Sequence, residues 1–211
     1  MGGTGDRRIG SWLDDLGSGS ATPGGGAAAG VAAATGAALI AMVGHLTIGK
    51  DGFEDLDARM RSLVQTADAE REAFLDLADE DAQAFESVME SFRLPKWSDE
   101  EKASRILRIQ DAYEGAAAVP LQLATRCIRL MELAEDATAM GNPHAASDGY
   151  SAGLLLFSAT LAALANVRIN AAGLKDEATR QGLVDECDGL RTRADALLLQ
   201  VEEAFLLRLS N

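Results

Sequence analysis

The sequence predicts an all-α fold, an up-and-down bundle of long antiparallel helices. Apolar residues recur at three- and four-residue steps along most of the chain, and no stretch shows convincing period-two alternation. The composition is 47% hydrophobic but only 5% aromatic, with alanine and leucine dominant, which suits helices packed on helices. Breakers fall in small groups between the periodic stretches, at Gly49 to Gly52, Pro95 and Gly141 to Pro143, so the loops are expected to be short.

Residues 1–8 are glycine-rich and polar and are expected to be disordered, leaving 9–211 as a single helical domain. Ile9, Trp12, Leu13 and Leu16 keep helical spacing and predict a short amphipathic helix over 9–16, followed by a loop from Gly17 to Gly26. Pro23 and Gly24 to Gly26 are a turn signal, and the uncharged stretch behind them predicts a helix from about 25 to 48. At roughly 100° per residue, Gly26, Gly30, Ala33, Ala37, Ala41 and Gly44 share one stripe of that helix. Val31, Thr35, Met42 and Leu46 fall near the opposite stripe, with Leu39 beside them. The small stripe is expected to be a close helix–helix seam, with a dimer interface as one place for it, and the bulky face is expected to fill a core. Glycine costs about 1 kcal/mol against alanine in a helix interior, so the glycines from 26 to 44 call for a packing or ligand reason.

From Phe53 the stripe continues through Leu56, Met60, Leu63, Ala67, Phe74, Leu77, Phe85, Val88 and Phe92, a long helix that Pro95 ends. Ser98 with Glu101 three residues later is a capping box that starts the next helix. That helix runs to about Gly115 or Val119, and Pro120 either kinks it or begins another that continues to Met140. Gly141, Asn142 and Pro143 form a turn, and Ser147 is the expected cap of a helix reaching about Ala172. Leu183, Leu190, Leu197, Val201 and Phe205 mark a last helix over 176–208.

Acidic residues outnumber basic ones 33 to 19, a net charge of −14. That balance argues against a nucleic-acid partner, yet leaves room for a small anionic ligand wherever a few lysines or arginines gather. Cys127 and Cys187 lack metal-ligand spacing, as do His45 and His144, so no metal is expected, and Cys127 reads as a small buried hydrophobe. Asp14 and Asp15 follow Arg7 and Arg8 where the apolar run of an export signal would begin. Residues 24–44 are long enough to cross a bilayer, but alanine and glycine insert weakly. A cytoplasmic protein without a membrane partner is the expectation.

Some polar residues stand out of pattern. Asp81 interrupts the apolar stripe between Leu77 and Phe85. An ion pair with a buried arginine, a tilt to solvent and a catalytic carboxylate all remain open explanations. Lys50 and Lys96 each follow a helix end and together are candidates for holding an anion. Asp148, Ala152, Leu155, Ala159, Ala162, Asn166 and Asn170 share one helical face. Asp148 and Asn166 lie about 27 Å apart along it, so one compact site in one subunit does not easily hold both. The triplet Gly24 to Gly26 lacks the lysine and the preceding strand of a nucleotide loop, though its backbone N–H groups can still face a ligand.

Taken in order and spacing, Pro23-Gly24-Gly25-Gly26, Leu46-Thr47-Ile48-Gly49-Lys50, Asp81 with Ala84-Phe85, Leu94-Pro95-Lys96, Val119-Pro120-Leu121, Gly141-Asn142, Ser147-Asp148 and Asn166-Val167-Arg168-Ile169-Asn170 resemble the cyclodeaminase/cyclohydrolase family of folate enzymes. The resemblance covers about residues 9–208. Ala27 stands where that family often has serine or threonine, and Asp51 where a second basic residue often follows the lysine. The resemblance implies a homodimer with its site near the subunit interface, a tetrahydrofolate derivative as substrate, and no cofactor. It implies reversible hydrolysis of 5,10-methenyltetrahydrofolate to 10-formyltetrahydrofolate, ahead of formimidoyltetrahydrofolate cyclodeaminase activity. A non-catalytic dimer binding folate or a partner enzyme is the reading from a different class.

On that basis Asp148 is the principal acid/base carboxylate and Asp81 a second one beside the cation. Lys50 and Lys96 hold folate carboxylates or polarise the adduct. Asn142, Asn166 and Asn170 bond the pterin edge or orient these groups, while Gly24, Gly25, Gly26, Thr47 and Ser147 complete the ligand contacts. An antiparallel dimer would bring one subunit's glycine loop near the other's Lys50.

Overall fold

Long apolar faces need other long faces to cover them, and the structure, a computed structural model, satisfies them with helices alone. It describes residues 3–210, with no strand among them. The helices are α1 (Ile9–Leu16), α2 (Gly25–His45), α3 (Asp57–Arg93), α4 (Asp99–Met140), α5 (Ala146–Ala171) and α6 (Glu177–Leu209), with short 3-10 turns before α1, α3 and α5. Helix α2 packs on α3 and α5; α4 packs on α3, α5 and α6; α5 also packs on α6. Cross-helix contacts show that neighbours run antiparallel: Arg59 joins Asp136 and Arg126 joins Glu70 between α3 and α4, while Arg168 joins Asp188 and Gly153 lies against Val201 between α5 and α6. The shared core includes Ile40, Met60, Phe74, Leu123, Met131, Leu156, Leu197 and Val201.

The small-residue stripe of α2 lies inside the chain, against α3. A Cβ on Gly30 would come 2.7 Å from the Phe74 carbonyl oxygen, and one on Gly44 2.5 Å from Val64 Cγ2. On another side, a Cβ on Gly36 would come 3.2 Å from the Ala152 carbonyl of α5. The expected bulky core face therefore points outward, with Met42 44% and Leu46 45% exposed. Backbones in direct contact gather more close atom pairs than helices held apart by large side chains, so the small faces turn inward. α2 and the stretch Pro143–Ala171 are each long and apolar enough to cross a membrane, and most of the α2 stretch is buried in the bundle.

Helix boundaries follow local chemistry. The Ser98 capping box is present: Ser98 Oγ accepts from Glu101 N at 3.1 Å and Glu101 Oε2 from Ser98 N at 3.0 Å. α2 stops at His45 rather than 48, and the chain then turns through Gly49 and Gly52, whose φ of 71° and 84° favour glycine. Ser147 does not cap α5. It is the exposed second residue of a helix that begins at Ala146, and Asn142 caps the preceding turn by accepting from His144 N at 3.1 Å. Pro120 neither breaks nor starts a helix, since α4 runs unbroken through it. At the start of the chain, Thr4–Asp6 forms a 3-10 turn whose Thr4 N–H and hydroxyl donate to Asp79 of α3, and Trp12 is buried against Ala27 and Ala78.

Helix lengths differ. Asp81 of α3 lies against Gly26 at the start of α2, so residues 82–93 continue for about 18 Å beyond that helix. They pair with the first turns of α4, forming a two-helix arm that ends in the turn at Leu94 to Ser98.

Candidate active site

The polar residues singled out in the sequence gather at the two ends of α2. At its N-terminal end, Asp81, Asn166 and Asn170 line a cavity of about 310 Å³ whose walls are Phe85, Val88, Met89, Phe92, Tyr113 and Ile169. Gly26 brings the first turn of α2 onto the Asp81 carboxylate, and any Cβ there would overlap it. A Cβ on Gly25 would stand 3.7 Å from Asn166 Nδ2, whereas Gly24 faces only the Ala21 carbonyl. Burial pushes the Asp81 carboxyl above its ordinary value, and the backbone N–H of Ala27 offsets part of that rise. Among the described residues Asp81 has no ion pair, which sets aside the buried-arginine explanation.

Both asparagines spend an amide N–H on backbone. Asn166 Nδ2 donates to the Ala162 carbonyl at 2.9 Å and Asn170 Nδ2 to the Ala116 carbonyl at 2.8 Å. Their Oδ1 atoms have no partner among the described residues, leaving two acceptors and a carboxyl group in an aromatic-walled cavity. Phe92 and Tyr113 meet edge to face at 6.1 Å, and Gly173 leaves room for the Tyr113 ring, which a Cβ would approach to 2.5 Å.

At the other end of α2 a dense set of bonds joins the α2 terminus to the α4–α5 turn. Lys50 Nζ donates to Asn142 Oδ1 at 2.8 Å and lies 5.8 Å from the centre of the Phe53 ring. Asn142 Nδ2 donates to the Leu46 carbonyl at 3.1 Å, and Asn142 N to Thr47 Oγ1 at 2.9 Å. Thr47 Oγ1 in turn donates to the Val43 carbonyl at 2.7 Å, and the side chain is 1% exposed. Thr47 is thus committed to holding this corner. Asp148 sits half-buried in the first turn of α5, where the helix N-terminus favours a negative charge.

These ends are separated by the 21 residues of α2, about 30 Å. One chain places Gly24, Gly25, Gly26, Asp81, Asn166 and Asn170 at one end, and Thr47, Lys50, Asn142, Ser147 and Asp148 at the other. Lys96 is exposed in the turn of the arm, removed from Lys50 by about the length of α3, roughly 55 Å. The two lysines do not form one anion site within a chain. The sequence reading missed the cavity walls: Phe85 and Phe92 keep the core spacing of α3, and only the shortness of α2 reveals that nothing covers them there.

What these features define is an all-helical bundle with a carboxylate- and amide-lined cavity at one end and a lysine–amide cluster with a nearby carboxylate at the other. The chain matches the family model described as formiminotransferase-cyclodeaminase over residues 8–189. It is 37% identical over 199 residues to a methenyltetrahydrofolate cyclohydrolase of Methylorubrum extorquens, covering 94% of this chain and 96% of that one. It is 35% identical over 196 residues to the formimidoyltransferase-cyclodeaminase of Sus scrofa, matching 91% of this chain and 36% of the pig protein. A crystal structure of formiminotetrahydrofolate cyclodeaminase from Thermotoga maritima superposes with a TM-score of 0.86 at 28% identity, covering 95% of this chain and 96% of that one. The protein belongs to the formiminotransferase-cyclodeaminase family.

Proposed function

We propose that this protein is an enzyme of folate one-carbon metabolism that reversibly hydrolyses 5,10-methenyltetrahydrofolate to 10-formyltetrahydrofolate. The observation that carries the reading is the 37% identity to the Methylorubrum extorquens cyclohydrolase along almost the whole of both chains. Water adds to the cationic amidinium carbon and gives up a proton; the bond from that carbon to N5 then breaks as N5 gains a proton and the adduct's hydroxyl releases its own to solvent, leaving the formyl group on N10. Asp148 takes and returns the proton, and Lys50 polarises the oxygen of the adduct. Asp81 lies beside the cation, whose charge favours the ionised carboxylate against the effect of burial. Asn166 and Asn170 accept from the pterin edge, with the ring between the aromatic walls. Lys96 meets the folate carboxylates beyond the arm, and Asn142 orients Lys50.

A homodimer reconciles the two ends. In a two-fold antiparallel pair the same patch meets itself, and one subunit's Asp81 end can face its partner's Lys50 and Asp148. The outward face of α2, with Met42 and Leu46 half exposed, supports a contact there. The test is loss of methenyl absorbance: Asp148→Asn is expected to slow turnover about 100-fold or more, and near-normal turnover removes Asp148 from the mechanism.

The second reading is cyclodeaminase activity, in which N10 attacks the formimino carbon and ammonia leaves. It is favoured by the fit to the Thermotoga maritima cyclodeaminase structure. Ammonia release from formiminotetrahydrofolate, without hydrolysis of the methenyl compound, would establish it.

A further inference from the structure

In an unbroken α-helix the Ala116 carbonyl would accept from the N–H four residues on. That residue is Pro120, which has no N–H and whose ring crowds the same carbonyl. The vacancy is filled from another helix, by Asn170 Nδ2 of α5 at 2.8 Å. Ala116 and Asn170 both line the cavity that holds Asp81. A carbonyl can only accept, so the amide must turn its nitrogen to Ala116. Asn170 Oδ1 then has no partner among the described residues.

We infer that Pro120 is a positioning residue for the ligand: by withholding an N–H from Ala116 it fixes the Asn170 amide and presents Oδ1 to a donor edge. The amino-pyrimidinone edge of a pterin, with adjacent N–H and NH₂ donors, matches that acceptor together with Asn166 Oδ1. The ligand's identity rests on the folate reading; the coupling of Pro120 to Asn170 does not. With an N–H at position 120 the helix satisfies Ala116 by itself, and the Asn170 amide is free to turn.

The experiment compares Pro120→Ala, Asn170→Ala and the double variant. Alanine is the better helix former, but Pro120 is buried, so in Pro120→Ala gained helix propensity is set against lost packing, and an unchanged helical circular-dichroism spectrum shows that the variant folds. Its KM for the methenyl compound is expected to rise about three- to tenfold, with kcat nearly unchanged. Asn170→Ala is expected to raise KM by a similar factor, and the double variant to match Asn170→Ala alone, because one hydrogen bond carries both effects. In the ligand-free protein the NMR signal of the Asn170 side-chain NH₂ is expected to move toward its solvent-exposed position in Pro120→Ala.

Multiplying KM effects or an unmoved amide signal in Pro120→Ala would each overturn the inference. If wild-type protein turns over neither folate compound, the folate reading falls by itself, and the amide signal still decides whether Pro120 sets Asn170.

Discussion

Asp81 is ionisable, half-buried and without a counter-ion among the described residues, and its effect on stability follows from the direction of its shift. The unfolded chain ionises near the ordinary 3.8, before the folded carboxyl does, so the folded state loses stability as pH rises from there through the raised value. Asp81→Asn cannot ionise and keeps an acceptor for Ala27 N–H. Its Tm advantage over wild type is expected to be absent in acid, to grow across that window and to level off above it, as thermal unfolding across a pH series would show. Gly26 acts on the same group: Gly26→Ala displaces the carboxylate, so turnover is expected to fall while denaturant stability falls little. Thr47→Val leaves the buried N–H of Asn142 without its acceptor and is expected to cost about 1–3 kcal/mol in urea unfolding. The sequence marks Asp81 because it interrupts an apolar stripe, Asn166 and Asn170 because they are polar on a small, apolar helical face, and Lys50 because it follows a helix end. It does not mark Thr47 as structural, because its bonding partners are brought together only by the fold.

At the scale of the element, α2 shows what periodicity can and cannot decide. Spacing separates a small face from a large one, but both are apolar, so polarity does not say which is inside. Close backbone approach decides it, as at Gly30. Gly30→Ala would force α2 away from the Phe74 carbonyl and is expected to destabilise the protein by about 1–3 kcal/mol, measured by urea unfolding, in contrast to Gly26→Ala. The Ser98 capping box is legible because all its partners lie within four residues. Pro120 is ambiguous for the opposite reason: the donor that lets α4 continue comes from Asn170, 50 residues away.

For the whole molecule the decisive property is the separation of the two polar ends. If the site is shared across a two-fold axis, inactive Asp81→Asn and Asp148→Asn proteins can complement each other. Half the dimers in an equilibrated mixture are then hybrids, each with one intact site, so activity is expected to return to about a quarter of wild type. An assay of the refolded mixture reads this directly, and no recovery would place the whole reaction within one subunit. The ordered motifs make the family legible without a structure, and spacing alone separates Asp148 from Asn166; that Asp81 joins Asn166 and Asn170 at one end while Lys50 and Asn142 join Asp148's end follows only from the antiparallel packing.

Because α3 and α4 outrun α2, the arm acts as a ruler laid against the cavity. Each helical turn inserted or removed in both helices of the arm moves Lys96 and Trp97 by about 5.4 Å while Asp81, Asn166 and Asn170 stay where they are. Reach toward a ligand's distal end and grip on its ring are therefore separately adjustable, and a lineage can retune one by indels without touching the other.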